Sequence, residues 1–142
     1  MRLLLVAGLF LMSLACGCER FEVVSECNHL AQVISPAVSE ITQLRQADPK
    51  SVQPATYEKI ASRYDALAKA LSATTFADKR IQDDVKSYTQ MVAQAGTLSR
   101  QFAAALTLAD AMAMQRVSGA LAALKVSEGQ QVAKLQARCT AH

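Results

Sequence analysis

Four cysteines and two histidines are the residues of this 142-residue sequence with the most chemistry to offer. Cys16 and Cys18 close an apolar N-terminal run, Cys27 and His29 follow shortly after, and Cys139 and His142 end the sequence. Cys27, His29, Cys139 and His142 together form a Cys2His2 set, the ligand complement of a zinc site. Cys27 and Cys139 alone form a disulfide pair. On one helix Cys27 and His29 are about 200° apart and point to opposite sides, so the preferred expectation is a disulfide flanked by two solvent-facing histidines, with no metal. The Cys2His2 set is the alternative. The C-terminal run "CTAH" lacks the second cysteine of the C-x-x-C-H haem signature. Met112 and Met114, with Met91 elsewhere, are thioether candidates for cuprous copper, but positions i and i+2 diverge on a helix and read better as packing. No cofactor is expected.

Catalytic arrangements are missing from the rest of the sequence. Asp83 and Asp84 are adjacent and therefore splayed. No Ser/His/Asp or Cys/His constellation, glycine-rich phosphate loop or spaced carboxylate pair is present. The reading is of a protein that is not an enzyme. Lys and Arg (15) barely exceed Asp and Glu (12), and they are spread without a basic run, which argues against a nucleic-acid partner. The charged residues are expected to form the solvated faces of helices.

The elements that must position these residues are helical. Five glycines, three prolines and no tryptophan in a sequence that is 51% hydrophobic suit an all-α domain, and the length suits one core. Val23, Cys27, Leu30, Ile34, Ala37, Ile41 and Leu44 recur at alternating spacings of four and three, the seam of a helix over about 22–46. Pro36 lies in phase within it and predicts a kink, not an end. The loop "ADPKSVQPA" follows, and Pro54 opens a second helix to about residue 73 on Tyr57, Ile60, Tyr64, Leu67 and Leu71. Thr75 and Asp78 read as a capping box for a third helix over 76–106, whose seam runs Ile81, Val85, Tyr88, Val92, Ala95, Ser99, Phe102 and Leu106. Thr107 and Asp110 repeat that spacing. An uninterrupted helix would bury Asp110, so the chain is expected to break there and form a fourth helix over 108–139 through Met114, Val117, Leu121, Leu124, Glu128, Val132, Leu135 and Cys139.

Four helices with short connections predict an antiparallel up-down-up-down four-helix bundle over residues 18–142. In that topology the start of the first helix and the end of the fourth share one end, which brings Cys27 and Cys139 together. Ser99 and Glu128 interrupt the seams with polar groups, so a ligand between the helices would sit near them.

Residues 1–17 read as a cleaved export signal. Arg2 supplies the positive charge, Leu3 to Leu14 the apolar stretch, and Ala15 and Gly17 the small residues. From Leu3 through Cys16 the run is about 14 residues, short of the roughly 20 that span a bilayer. The small residue directly before a cysteine in "LACGC" resembles the bacterial lipobox, whose cysteine is acylated and becomes the first residue of the mature chain. That resemblance implies lipidation of Cys18, with Cys16 as the alternative, and residues 19–24 then form a short tether. With Cys16 removed and Cys18 lipidated, Cys27 and Cys139 are left as a pair, which the oxidising compartment would join.

The whole plan of lipobox, early cysteine, alanine-rich helices and a last-turn cysteine resembles small helical envelope lipoproteins of the kind numerous in myxobacteria. The resemblance implies a location and no reaction: a lipid-anchored protein of the bacterial cell envelope, facing the periplasm or the cell surface. The expected role is a structural or protein-interaction module with a protein or envelope partner. The alternative is a periplasmic bundle that binds a small ligand or a metal.

Overall fold

The computed structural model describes residues 15–46 and 52–140. These residues form four α-helices and no strand: α1 (Ala15–Gln46), α2 (Pro54–Ala73), α3 (Lys79–Thr107) and α4 (Ala111–Thr140). Residues 1–14, which carry most of the expected export signal, and His142 lie outside the described residues.

The helices exist because each supplies an apolar stripe that another covers. α2 buries Ile60, Ala61, Tyr64, Leu67 and Leu71, at spacings that keep them on one face. α3 runs through the centre and buries Ile81, Val85, Tyr88, Val92 and Ala95 against it. The α2–α3 pair packs most extensively, followed by α3–α4 and α1–α2, whereas α1 and α4 touch only slightly. Gly96 lets α2 and α3 approach closely, since a Cβ there would come within 2.8 Å of Asp65 Oδ1 and 3.3 Å of the Tyr64 Cβ. On α1 the seam is shallower. Val23, Leu30 and Ile41 are buried, while Cys27, Ile34, Ala37 and Leu44 are half-buried against the core.

Three boundaries differ from the sequence reading, each for a local reason. α1 begins at Ala15 instead of about residue 22, so residues 19–24, expected to be a short tether, are helical, and Val23 is already in the core. α3 begins at Lys79 instead of 76. Asp78, not Thr75, is its N-cap, with the carboxylate accepting from the Arg80 N–H at 2.7 Å and the Ile81 N–H at 3.3 Å. Phe76 is buried before the helix starts, and its N–H donates to Gln82 Oε1 at 2.8 Å. α4 begins at Ala111 instead of 108, because Leu108 and Ala109 are used in ending α3. The Asp110 N–H donates to the Ala105 carbonyl at 3.0 Å and the Ala109 N–H to that of Leu106 at 3.2 Å, the paired bonds of a Schellman turn. Ala109 occupies the left-handed position usually given to glycine, at φ 50°. Asp110 then caps α4 by accepting from the Ala113 N–H at 2.9 Å. α1 continues unbroken through Pro36.

Two carboxylates tie helices far apart in sequence. Glu26 on α1 accepts from the N–H groups of Ala77 and, at 3.3 Å, Asp78, so a side chain some fifty positions away serves the entry to α3. Asp84 corrects the expectation that the charged residues are all solvated: it is buried, 3% exposed, and pairs with Lys134 and with Arg138 at 3.2 Å. Burial pushes the Asp84 carboxyl pKa up, but hydrogen bonds and charge from Lys134 and Arg138 outweigh it and leave the pKa below its ordinary value. The Arg80 hydrogen bond and the backbone N–H groups hold the Asp78 carboxyl down at about 2.

Both depressed carboxylates stabilise the fold fully above the ordinary carboxylate range, and that contribution disappears as pH falls through their folded values. Thermal unfolding of the wild type should therefore drop in midpoint between about pH 4 and pH 2, more steeply than that of Asp84→Asn. At neutral pH the variant should itself be about 1–3 kcal/mol less stable, the lower part of that range reflecting two cations that can turn to solvent. Ala109→Gly should raise stability by about 0.5–1 kcal/mol in denaturant titration, because relief of the left-handed strain exceeds the added freedom of the unfolded chain.

Candidate ligand cavity

Cys27 and Cys139 are brought together at one end of the α1–α4 gap. Their Sγ atoms are 2.07 Å apart, bonding distance, and their Cα atoms 5.9 Å apart. A sulfur in that bond is no thiolate ligand, and His29 is exposed on a different face of α1 from Cys27, so the described members of the Cys2His2 set do not converge on a metal. Among the described residues no group of three or more His, Cys, Asp or Glu side chains is placed to hold a metal ion. Met91 is buried in the middle of α3, while Met112 is exposed in the first turn of α4. Cys16 and Cys18 fall in the first turn of α1, where only the backbone is described.

Beyond the disulfide, α1 and α4 part around a cavity of about 440 Å3 that reaches α2 and α3. Its floor is apolar, built by Ile60 of α2, Met91, Val92 and Ala95 of α3, and Leu124 of α4. Tyr57 borders it, with its ring 4.5 Å from that of Phe102. Thr56 also lines it, and the charged or aromatic polar side chains Arg45, Tyr64, Lys125 and Glu128 border it from three helices. A cleft of this size, mostly apolar with a few polar groups, has the character of a small-molecule site.

The polar groups are organised by one another. Arg45 Nη2 donates to the Tyr64 hydroxyl at 2.8 Å, and its guanidinium carbon lies 6.0 Å from the centre of the Tyr64 ring. Since Tyr64 accepts that bond, its own proton remains available to donate. Burial pushes the Tyr64 pKa up, Arg45 opposes this, and Glu128 adds to it, for a net rise. Tyr88, deeper in the core, is pushed up to about 12 by burial first, then by the negative fields of Glu128 and Tyr64. Both phenols are therefore kept protonated near neutrality.

Of the two polar interruptions expected to mark a ligand position, Glu128 lines the cavity and Ser99 does not. Ser99 is buried, and its hydroxyl donates to the Ala95 carbonyl of its own helix at 2.8 Å. Arg45 and Tyr64 escaped the sequence reading because one looks like a helix-end charge and the other like a seam aromatic. Their meeting depends on the α1–α2 packing, which no short-range spacing shows. Comparison with protein-family models, with curated proteins and with solved structures finds no match to this chain.

Spectrophotometric titration of the folded protein should show one phenol, lost in Tyr88→Phe, ionising near pH 12. Because that value lies above the ordinary one, the associated stability is fully present below about pH 10 and is lost as pH rises toward 12. An early alkaline transition for all three tyrosines would contradict the assignment.

Proposed function

We propose that this chain is exported and acts as a lipid-anchored module of the bacterial cell envelope, with Cys18, or alternatively Cys16, carrying the lipid. The observation that carries the reading is the Cys27–Cys139 bond, because a bond that joins the first helix to the last belongs to an oxidising compartment. Membrane attachment is supported by position. With a rise of 1.5 Å per residue, the buried Val23 is only about 8 Å along α1 from Cys18. Phe21 and Val24, spaced three apart on the same stretch, are 79% and 47% exposed, an apolar face that a bilayer beside the anchor would cover. Among the described residues no helix is long and apolar enough to cross a membrane.

Within the reading the helices form an antiparallel up-down-up-down bundle. Tyr57 neighbours Phe102 while Ala61 faces Gly96, so the chain ascends α2 as it descends α3. Asp84 near the start of α3 meets Arg138 near the end of α4, and Cys27, in the first half of α1, meets Cys139 near the end of α4. The bundle is presented on the periplasmic or cell-surface side as a structural or protein-interaction module. A second reading is favoured by the cavity between α1 and α4, in which the anchored bundle binds a small molecule among its helices.

Intact mass of the mature protein from its native membrane tests the anchor and the bond. A chain that starts at Cys18 or Cys16, carries added acyl mass and gains two hydrogens on reduction is the expected result. An unlipidated chain, or one whose mass is unchanged by reductant, overturns it.

A further inference from the structure

We infer that the cavity between α1 and α4 is a binding site for a single-chain amphiphile with an anionic head, of the fatty-acid class. This inference rests on the small-molecule reading of the cavity and adds the chemistry of the occupant.

The floor of Ile60, Met91, Val92, Ala95 and Leu124 offers no hydrogen-bonding side chain, so it takes a hydrocarbon segment and gains from each methylene removed from water. A volume of about 440 Å3 has room for one such chain. The head is specified by the wall. Arg45 and Lys125 line the cavity from α1 and α4, and among the described residues neither has a carboxylate within ion-pair distance. Elsewhere the arginines of α2, α3 and α4 with neighbouring acids are paired, as in Arg63–Glu40, Arg100–Asp65 and Arg138–Asp84. Arg45 is also held in place, since one of its five N–H donors is fixed on the Tyr64 hydroxyl and the others keep their capacity. The Tyr64 proton is a further donor. A carboxylate accepts from all three groups, whereas an ammonium head would find two cations and only Glu128 in its favour.

The lipid proposed on Cys18 is not this occupant. Arg45 lies 27 residues further along α1, roughly 40 Å at 1.5 Å per residue, beyond the reach of one acyl chain from the anchor. The ligand arrives from outside the chain.

Isothermal titration of the disulfide-bonded protein with laurate, dodecanol and dodecylamine, each below its aggregation threshold, tests the inference. Laurate is expected to bind one to one, with dodecanol and dodecylamine at least about tenfold weaker. In the Arg45→Gln/Lys125→Gln double variant laurate should fall to the level of dodecanol, with dodecanol itself unchanged. Ala122→Trp, at an exposed position on the cavity wall, should abolish binding of all three while circular dichroism and thermal midpoint stay as in the wild type. Dodecylamine or dodecanol binding as well as laurate, in a manner blocked by Ala122→Trp, overturns the anionic assignment and leaves the small-molecule reading intact. Failure of all three ligands to bind overturns both. Binding that survives Ala122→Trp places the amphiphile elsewhere and also overturns the inference.

Discussion

Closure of this protein on the α1 side depends on one covalent bond, because α1 has too little burial of its own to hold that side shut. Only Val23, Leu30 and Ile41 of its seam are buried, it packs mainly on α2, and its contact with α4 is slight. A helix in that situation can detach at the cost of a few apolar side chains. Joining Cys27 to Cys139 removes the option, since the open chain would otherwise have to close a loop of 112 residues, and in the chain-entropy account such a closure is worth about 4–5 kcal/mol. That is a large share of the stability of a domain this size.

Two further long-range ties lie at the same end. Glu26 adjoins Cys27 and serves the entry to α3, while Asp84, one turn into α3, holds Lys134 and Arg138 beside Cys139. Both carboxylates meet donors that compensate their loss of water, so these ties specify which helix ends are neighbours. Among the described residues nothing comparable joins α1 to α4 towards Leu44 and Arg45. The two helices are pinned at one end and separated at the other, and the cavity is the geometric result.

How much of this was legible depended on whether a feature was repeated along one helix or made across two. The seams were legible because burial recurs every three or four residues: Ile81, Val85, Tyr88, Val92, Ala95 and Ser99 are all buried as spaced. The break at Thr107 was legible because a continuous helix would have buried Asp110. The convergence of Cys27 and Cys139 followed from counting helices. By contrast, Asp84 gave no sign of burial. Its partners are 50 and 54 positions away, and next to Asp83 it looked like half of a solvated pair. Glu26 and Arg45 were hidden for the same reason. The cap at Asp78 was misplaced because Thr75 offers the same spacing, and the burial of Phe76 in the core before the helix starts is not visible in that spacing.

The same division explains why the cavity has polar walls. A gap between helices that met only other helices would be closed by larger apolar side chains, since an empty apolar space of this size is costly. Here the wall carries Arg45, Lys125 and Glu128, charged groups that keep their hydration by lying at the opening, while Tyr64 reaches inward with its hydroxyl held by Arg45. Burial first, and Glu128 with it, raises the pKa of both Tyr64 and Tyr88. In the proposed site the negative charge of Glu128 also sets a limit: with Arg45 and Lys125 on one side of the balance and Glu128 on the other, the wall neutralises one acidic head and disfavours two. A molecule with a long apolar body and a single carboxylate satisfies that balance, and a dianionic head does not.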